Sequence, residues 1–176
     1  MGASLPPPQK IVEADRHGQF PFIYVIVGVD KCVLIDTGCG GGDLRGFINA
    51  HINKDGVCVV AVCVCACARH VHFDHVGGNS MFSGSKAAGC LGVYMGGRDQ
   101  RYSNNYELMS LAMAHGATVK PYTVTKWLSE GDTVWLDDAT TSGGNCLQVL
   151  WTPGHTLDSI SLYFPAEQRL FVGDTL

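Results

Sequence analysis

Runs of β-branched and aromatic residues predict two strands near the start of the chain. Residues 22–28 (FIYVIVG) and 32–35 (CVLI) are such runs, and only three residues separate them. A short connection between two strand-like runs is typical of a β-hairpin. The sequence therefore predicts an antiparallel hairpin, whose second strand ends in the turn sequence Asp36-Thr37-Gly38.

The next segment changes to the helical spacing of apolar residues. A helix over residues 43–54 would place four apolar side chains on one face. These residues are Leu44, Phe47, Ile48 and Ile52. Asp43 precedes them, and aspartate is a residue type that caps helix N-termini. We therefore expect a helix that begins after Asp43 and buries this face.

A continuous apolar run, residues 57–68, follows the predicted helix. It is rich in β-branched residues and cysteine, which fits a strand that is buried on both faces. Cys63, Cys65 and Cys67 alternate along it, so their side chains share one face. We interpret them as reduced, buried residues, because no Cys-x-x-Cys spacing indicates a thiolate metal cluster. The chain has eight cysteines, but it shows no secretory signal, so no disulfide framework is expected.

The rest of the pattern is rich in strands. Short strand-like runs occur at residues 88–95, 123–128, 133–136, 147–151, 159–164 and 170–172, and residues 99–115 are predicted to be helical. The polar stretch 69–78 is predicted to be a loop. No linker or internal repeat divides the chain, so these elements predict one domain of strands with interspersed helices.

The polar loop after the buried strand carries the strongest indication of chemistry. It contains His70, His72, Asp74 and His75 within six residues. The end of a buried strand is rigid, and ligand sites of α/β-type sheets lie in loops at that position. Imidazole nitrogens and carboxylate oxygens suit Zn²⁺ or Fe²⁺. Because one short loop cannot wrap all four groups around one ion, we expect two metals, with two of these residues on each.

Two later turns offer further ligands of the same types. His155 lies in Pro153-Gly154-His155-Thr156 and Asp174 follows Gly173, and each turn comes directly after a predicted strand. Either residue alone would be interpreted as an ordinary turn residue. A metal role is favoured only because the same chain also contains the histidine loop. The other histidines match no motif and are predicted to be surface or structural residues. They are His17, His51 and His115.

Together these motifs resemble the metallo-β-lactamase superfamily. The chain has His-x-His-x-Asp-His, Gly77-Gly78-Asn79, Thr-Pro-Gly-His-Thr and Gly-Asp-Thr, and residues 35–38 resemble the family's first motif. The motifs occur in the family's order from about residue 20 to the end. The resemblance implies an α+β fold, an αββα sandwich with a dinuclear site at one edge between the sheets. We assign residues 20–176 to this domain, and residues 1–19 to an N-terminal extension.

The resemblance also implies a role for each motif residue. His70, His72 and His155 would hold the first metal, and Asp74 and His75 the second. Asp174 would bridge the two metals. Asp36 would fix the histidine loop by hydrogen bonds without touching a metal. Asp74 is in addition the candidate catalytic residue, because it could accept a proton from a water between the metals.

A hydrolase with two Zn²⁺ per chain is therefore the leading hypothesis, since such metals lower the pKa of water from 15.7 to about 7. Residues 152–156 and 171–176 resemble the thioesterase branches, so a small-molecule thioester of acyl-glutathione or acyl-CoA type is the expected substrate.

Residues 98–127 contain both cationic and aromatic residues. This segment is interpreted either as a lid that binds an anionic thioester or as a solvated surface excursion.

Two alternatives stay open. A mononuclear Fe²⁺ site formed by His70, His155 and Asp174 resembles the persulfide dioxygenase branch and is the first alternative. A diiron electron-transfer site is disfavoured, because His72 occupies the position where diiron flavoproteins have glutamate. The chain also stops two residues after Asp174, where the family continues with more strands and a last histidine. The second half of the sandwich is thus expected to be truncated, and an inactive or weak metal-binding homologue with an interaction role is the other alternative.

Composition and charge limit the classes of partner that we expect for this protein. The net charge is −4, which argues against a nucleic-acid partner. No apolar run approaches the ~20 residues that cross a bilayer, so we expect a cytoplasmic protein without a membrane partner. A homo-oligomer is open as an alternative to a monomer.

Arg69 is a departure from the family, whose members usually carry a small hydroxyl residue there. Its charge could weaken metal binding or help to hold an anionic substrate.

Overall fold

Two β-sheets stack on one another in the computed structural model, which describes residues 5–28, 31–52, 64–83, 90–137 and 145–174. The strands of the first sheet lie in chain order: β1 (Gln9–Val12), β2 (Phe22–Val27), β3 (Cys32–Ile35), β4 (Val64–Ala68), β5 (Cys90–Gly96) and β6 (Val124–Leu128). β1 to β3 are antiparallel, whereas β3 to β6 are parallel. The antiparallel pairing of β2 with β3 confirms the predicted hairpin.

The second sheet is antiparallel throughout, in the spatial order β10, β9, β8, β7. Its strands are β7 (Thr133–Trp135), β8 (Cys146–Trp151), β9 (Ile160–Phe164) and β10 (Arg169–Phe171). The helices are α1 (Leu44–His51), α2 (Phe73–Val76), α3 (Gln100–Asn104) and α4 (Tyr106–Met109), with 3₁₀ turns at Asn79–Phe82, Ala112–His115 and Pro165–Glu167.

Strands β2 and β3 of the first sheet have buried residues on both faces. Side chains alternate across a strand, so Val25 and Leu34 face the helices whereas Ile26 and Val33 face the second sheet. The core beneath the helices also contains residues of α1, α2 and the 3₁₀ turns, and the core between the sheets is completed by Leu147, Leu162 and Phe164 among others. This order of helices, first sheet and second sheet confirms the α+β class.

Helix α1 follows its predicted pattern with one exception. Asp43 is its N-cap, and the Asp43 carboxylate accepts a hydrogen bond from the Gly46 amide at 2.9 Å. Ile48 is buried against the core beneath the helices. Phe47 was expected on the same buried face, but 43% of it is exposed and its ring stacks on His51. The cap and the face were thus predicted correctly, except for Phe47.

Two expectations need correction. Residues 99–115, predicted as one helix, form α3, α4 and a 3₁₀ turn, and the non-glycine residue Leu111, with φ +59°, interrupts the helical path. Gln9–Val12 was not predicted as a strand, yet it pairs with β2, so part of the proposed N-terminal extension belongs to the first sheet. Of the buried run 57–68, only Val64–Ala68 is described, and the interpretation of Cys63, Cys65 and Cys67 lies outside the described side chains.

The four cysteines that are described with their side chains form no disulfide: Cys32, Cys39, Cys90 and Cys146. Among the helices of the described ranges, none has the length and apolar character that crossing a bilayer requires.

Candidate metal centre

The first sheet contributes residues to the centre from the carboxyl ends of two parallel strands. Asp36 directly follows β3, and Arg69 and His70 follow β4. The two loops are tied together, because the Thr37 amide donates a hydrogen bond to the carbonyl oxygen of His75 at 2.9 Å. The predicted motifs therefore meet at one edge of the sheet, as parallel strand ends do.

The stretch 69–78 is not an irregular loop as predicted, because it contains the single helical turn α2. His72 is the N-cap of this turn, and Asp74 and His75 lie within it. Phe73 is buried in the core, and its amide donates to the carbonyl oxygen of Ser110 at 2.9 Å. This anchoring orients His72, Asp74 and His75 away from the core and towards the sheet edge.

The second sheet contributes the other two residues. His155 lies in the turn between β8 and β9, and Asp174 lies just beyond β10. The Ile160 amide donates to the carbonyl oxygen of Arg69 at 2.9 Å, which joins β9 to the loop that carries His70. The edge between the two sheets is thus where all the candidate ligands converge.

Six candidate residues form two groups with potential ligand atoms within 4.8 Å of one another. The first, here named the trihistidine group, contains His70, His72, His155 and Asp174. The second, named the Asp–His group, contains Asp74, His75 and Asp174. Asp174 belongs to both groups. The grouping matches the division that the family resemblance implies, although the metal roles themselves stay predictions.

Distances within the groups are short. His155 Nε2 lies 3.0 Å from His72 Nδ1, and the Asp174 Oδ2 atom lies 3.7 Å from His155 Nε2 and 4.0 Å from His70 Nε2. On the other side, His75 Nε2 lies 3.3 Å from Asp174 Oδ1 and 3.4 Å from Asp74 Oδ2. The Asp174 carboxylate therefore offers one oxygen to each group.

The donor set fits a divalent metal ion. The Nε2 atoms of His70 and His75 are buried, and neither makes a hydrogen bond to any residue in the described ranges. A buried polar atom without a partner is costly, and the great majority of such atoms are satisfied. Both nitrogens point at a cluster of imidazoles and carboxylates, so a metal ion would satisfy them. The centre could therefore hold a metal ion, as the chemistry of its donors requires.

Protonation differs between the two groups. Burial, reinforced by the nearby His75, lowers the pKa of His70 to about 2, and burial together with His155 lowers the pKa of His72. These rings are neutral at pH 7 and their lone pairs are available to a metal. Burial opposes the charge of His75 as well, but Asp36 outweighs it and raises the pKa of His75 well above its usual value. Metal binding at the Asp–His group therefore has to release a proton.

Asp36 is fully buried and connects Arg69 to His75. Asp36 Oδ1 accepts from the Arg69 amide at 2.9 Å, and Asp36 Oδ2 accepts from Arg69 Nε at 2.8 Å, from Arg69 Nη2 and from His75 Nδ1. Burial would raise the pKa of Asp36, but Arg69 and His75 hold it well below its usual range. Asp36 thus orients the His75 ring, as expected from the sequence, and also neutralises Arg69.

Three contacts of the site were not anticipated from the sequence. Arg69 was noted for its charge, but its pairing with Asp36 spans 33 residues and leaves no local pattern. Asp158 is buried and accepts from Ser103 Oγ at 2.9 Å, which attaches the turn after His155 to α3. Asn79 Oδ1 accepts from Thr37 Oγ1 at 2.9 Å. Of these residues, Asp36, Thr37 and Asn79 lie in quoted motifs, and only Asp36 had been given a role.

Residues 98–127 are a packed part of the domain. Four aromatic residues of this segment pack against the core beneath the helices: Tyr102, Tyr106, Tyr122 and Trp127. Tyr106 and Tyr122 stack with ring centroids 4.7 Å apart. The four rings therefore pack on the core, which is against the interpretation as a solvated excursion, and a role of the segment as a lid stays a prediction.

The remaining histidines lie outside both ligand groups. His17 Nδ1 lies 3.1 Å from the carbonyl oxygen of His115, and both rings contact Phe73. His51 is exposed on α1. Their expected surface or structural positions agree with these contacts.

An open cavity of about 470 Å³ lies beside the Asp–His group. Its lining contains the polar residues Arg69, Asp74, His75 and Asp174, together with aromatic residues such as Phe20 and Tyr24. A small organic molecule could therefore reach the candidate metal ligands from this side.

A family model of the metallo-beta-lactamase superfamily matches residues 18–176. The chain belongs to this superfamily. The match spans most of the chain and contains every candidate ligand, from His70 to Asp174.

Two curated proteins resemble the chain along most of its length, and a third resembles a shorter part of it. The chain is 28% identical to a putative transcription factor, avaE, of Aspergillus versicolor, over 94% of this chain and 52% of that protein. It is 27% identical to the probable metallo-hydrolase YqgX of Bacillus subtilis, over 87% of this chain and 64% of that protein. A hydroxyacylglutathione hydrolase of Idiomarina loihiensis is 54% identical, but over only 31% of this chain. The chain thus spans about half to two thirds of the first two relatives.

Solved structures, among them a metallo-β-lactamase, have the same fold. The subclass B3 enzyme BJP-1 of Bradyrhizobium japonicum superposes with a TM-score of 0.57 at 25% identity, over 81% of this chain and 50% of that one. TTHA1623, solved in a di-iron-bound form, superposes with a TM-score of 0.62 at 22% identity, over 92% of this chain and 69% of that one. The chain therefore has the fold of a family of metallo-hydrolases whose members bind divalent metals.

Proposed function

We propose that this chain is the metal-binding part of a zinc-dependent hydrolase that cleaves a small-molecule thioester. The observation that carries the proposal is the sharing of Asp174 by two adjacent ligand groups, because one carboxylate between two metal positions is the arrangement of dinuclear hydrolases. The similarity to a hydroxyacylglutathione hydrolase over 54 residues supports a thioester rather than another acyl substrate.

The trihistidine group would hold one zinc and the Asp–His group the other. Zinc bound there would lower the pKa of a bound water towards neutrality and would polarise a carbonyl. The neutral rings of His70 and His72 are ready to coordinate without losing a proton. Asp74 lies 3.4 Å from His75 Nε2 and lines the cavity, so its carboxylate is placed to accept a proton close to the substrate.

The cavity beside the Asp–His group suits the proposed substrate. Its aromatic lining residues can contact the apolar part of an acyl group, and its lining includes the ligand residues that the thioester carbonyl would have to reach. We propose no nucleic-acid or membrane partner, and we propose a cytoplasmic location.

The hydrolysis assay uses the purified chain, stripped of metal and reloaded with Zn²⁺, with acyl-glutathione and acyl-CoA thioesters as substrates. We expect turnover that chelation removes and zinc restores. His72→Ala should lower kcat/KM by at least about 100-fold, because losing even an outer partner of a ligand costs 10- to 100-fold. His51→Ala, an exposed histidine outside both groups, is the matched control and should leave the rate unchanged.

Zinc-loaded protein without turnover of either thioester, or full activity in His72→Ala, would contradict the proposal. Oxygen consumption by the iron-loaded protein with a persulfide, in the absence of thioester hydrolysis, would instead favour a mononuclear iron oxygenase. Stable folding without metal binding would favour an inactive homologue with an interaction role.

A further inference from the structure

We propose that Arg69 makes the two metal positions unequal, by weakening the Asp–His group relative to the trihistidine group. This inference rests on the proposed metal-dependent function, and it concerns the order and affinity of metal loading. It predicts that the trihistidine group fills first and that the second ion binds with much lower affinity.

The proposal begins with one shared carboxylate oxygen. Asp36 Oδ2 accepts from Arg69 Nε at 2.8 Å, from Arg69 Nη2 and from the Nδ1 atom of His75. Asp36 is fully buried and Arg69 is only 6% exposed, so water does not screen these contacts. The guanidinium and the imidazole therefore compete for the negative charge of a single oxygen.

This competition weakens His75 as a ligand. A carboxylate that accepts the distal N–H of a metal-binding histidine raises the basicity of the ring and so its affinity for the metal. The charge-assisted bonds from Arg69 draw on the same oxygen, and Arg69 neutralises Asp36 overall. His75 consequently donates more weakly to a metal than it would beside an unshared carboxylate.

The charge of Arg69 acts on Asp174 as well. A Cβ atom placed on Gly173 would lie 3.4 Å from Arg69 Nη1, so the guanidinium lies against the residue that precedes Asp174. A fixed cation at this place repels an incoming divalent cation, and it does so most strongly in a partly buried site. Arg69 therefore acts on two of the three members of the Asp–His group, His75 and Asp174, but on only the shared Asp174 among the four of the trihistidine group.

A weakened imidazole and a nearby cation act in the same direction, and together they place the two affinities far apart. The concentration of free metal would then decide whether the centre holds one ion or two.

The test titrates zinc into the metal-free protein in competition with a chelator and measures both dissociation constants. Histidine side-chain NMR identifies which rings respond at each step. For the wild type we expect two constants at least about 100-fold apart, with His72 and His155 shifting at the first equivalent and His75 at the second. Arg69→Gln keeps an N–H donor for Asp36 but removes the charge. It should tighten the second site by about 10- to 100-fold and change the first by less than about 3-fold.

Arg169→Gln removes an exposed arginine on β10 and should change neither constant. Arg69→Lys keeps the charge and should keep most of the gap between the sites. The wild-type titration stands by itself if Arg69→Gln does not fold. Equal constants, a His75 shift at the first equivalent, or an unchanged gap in folded Arg69→Gln would overturn the proposal. Two separate zinc steps without thioester turnover would instead contradict only the proposed hydrolase activity.

Discussion

Replacing Asp174 with alanine will release zinc from both ligand groups and lower thioester hydrolysis by at least about 1000-fold. The carboxylate belongs to both groups, with one oxygen 3.3 Å from His75 Nε2 and the other 3.7 Å from His155 Nε2. Its loss removes a ligand from each metal position, and metal catalysis contributes several kcal/mol to such reactions. The measurement is zinc content after dialysis together with kcat/KM.

Glu167→Ala is the matched control for this variant. Glu167 is a carboxylate in the same part of the second sheet, next to β10, and it pairs with Arg169 far from the ligand groups. It should keep the metal content and activity of the wild type. An Asp174→Ala protein that retains two zinc ions, or most of its activity, would show that Asp174 does not connect the two groups.

Replacing Asp36 with alanine will destabilise the metal-free protein by about 3–5 kcal/mol. Asp36 is fully buried and accepts hydrogen bonds from both Arg69 and His75. Its removal leaves the Arg69 guanidinium buried without its counter-charge, and that is more costly than losing an exposed ion pair. Urea unfolding of the metal-free protein at pH 7 gives the free energy of unfolding without a contribution from metal binding.

Asp132→Ala gives the comparison for this loss. The Asp132 carboxylate accepts from the Ser129 amide at 2.9 Å in an exposed loop, so its removal should cost only about 1 kcal/mol. The Asp36 effect should also depend on pH. Because folding lowers the pKa of Asp36, its contribution is complete above the unfolded pKa of about 3.9 and is lost as the pH falls further. Equal losses in the two variants would contradict the buried ion pair.

Local patterns predicted the elements on which the centre is built. The β2–β3 hairpin follows from two β-rich runs with a short connection, and the start of α1 follows from Asp43, whose side chain caps the helix. Four of the six candidate ligands were found because they are dense in one short loop after a buried strand, and His155 and Asp174 were found only by taking their turns together with that loop. In these cases residues that are close in sequence determine the structure, and a pattern in the sequence is sufficient.

The sequence did not reveal contacts that depend on distant residues. β1 contains Gln9 and Lys10 and is mostly exposed at the sheet edge, so it lacks the apolar alternation of a buried strand. The break at Leu111 depends on a left-handed backbone conformation at a residue type that does not favour turns, so no local signal predicts it. The pairing of Arg69 with Asp36 joins the ends of two neighbouring strands, and neither segment alone predicts it.

The central claim is that the metal chemistry of this chain resides on histidines and aspartates, although the chain contains eight cysteines. X-ray absorption at the zinc edge of the zinc-loaded protein tests it most directly. We predict a first shell of nitrogen and oxygen at about 2.0–2.1 Å with the outer-shell scattering of imidazole. A first shell dominated by sulfur at about 2.3 Å would contradict the account, because it would place zinc on cysteine thiolates.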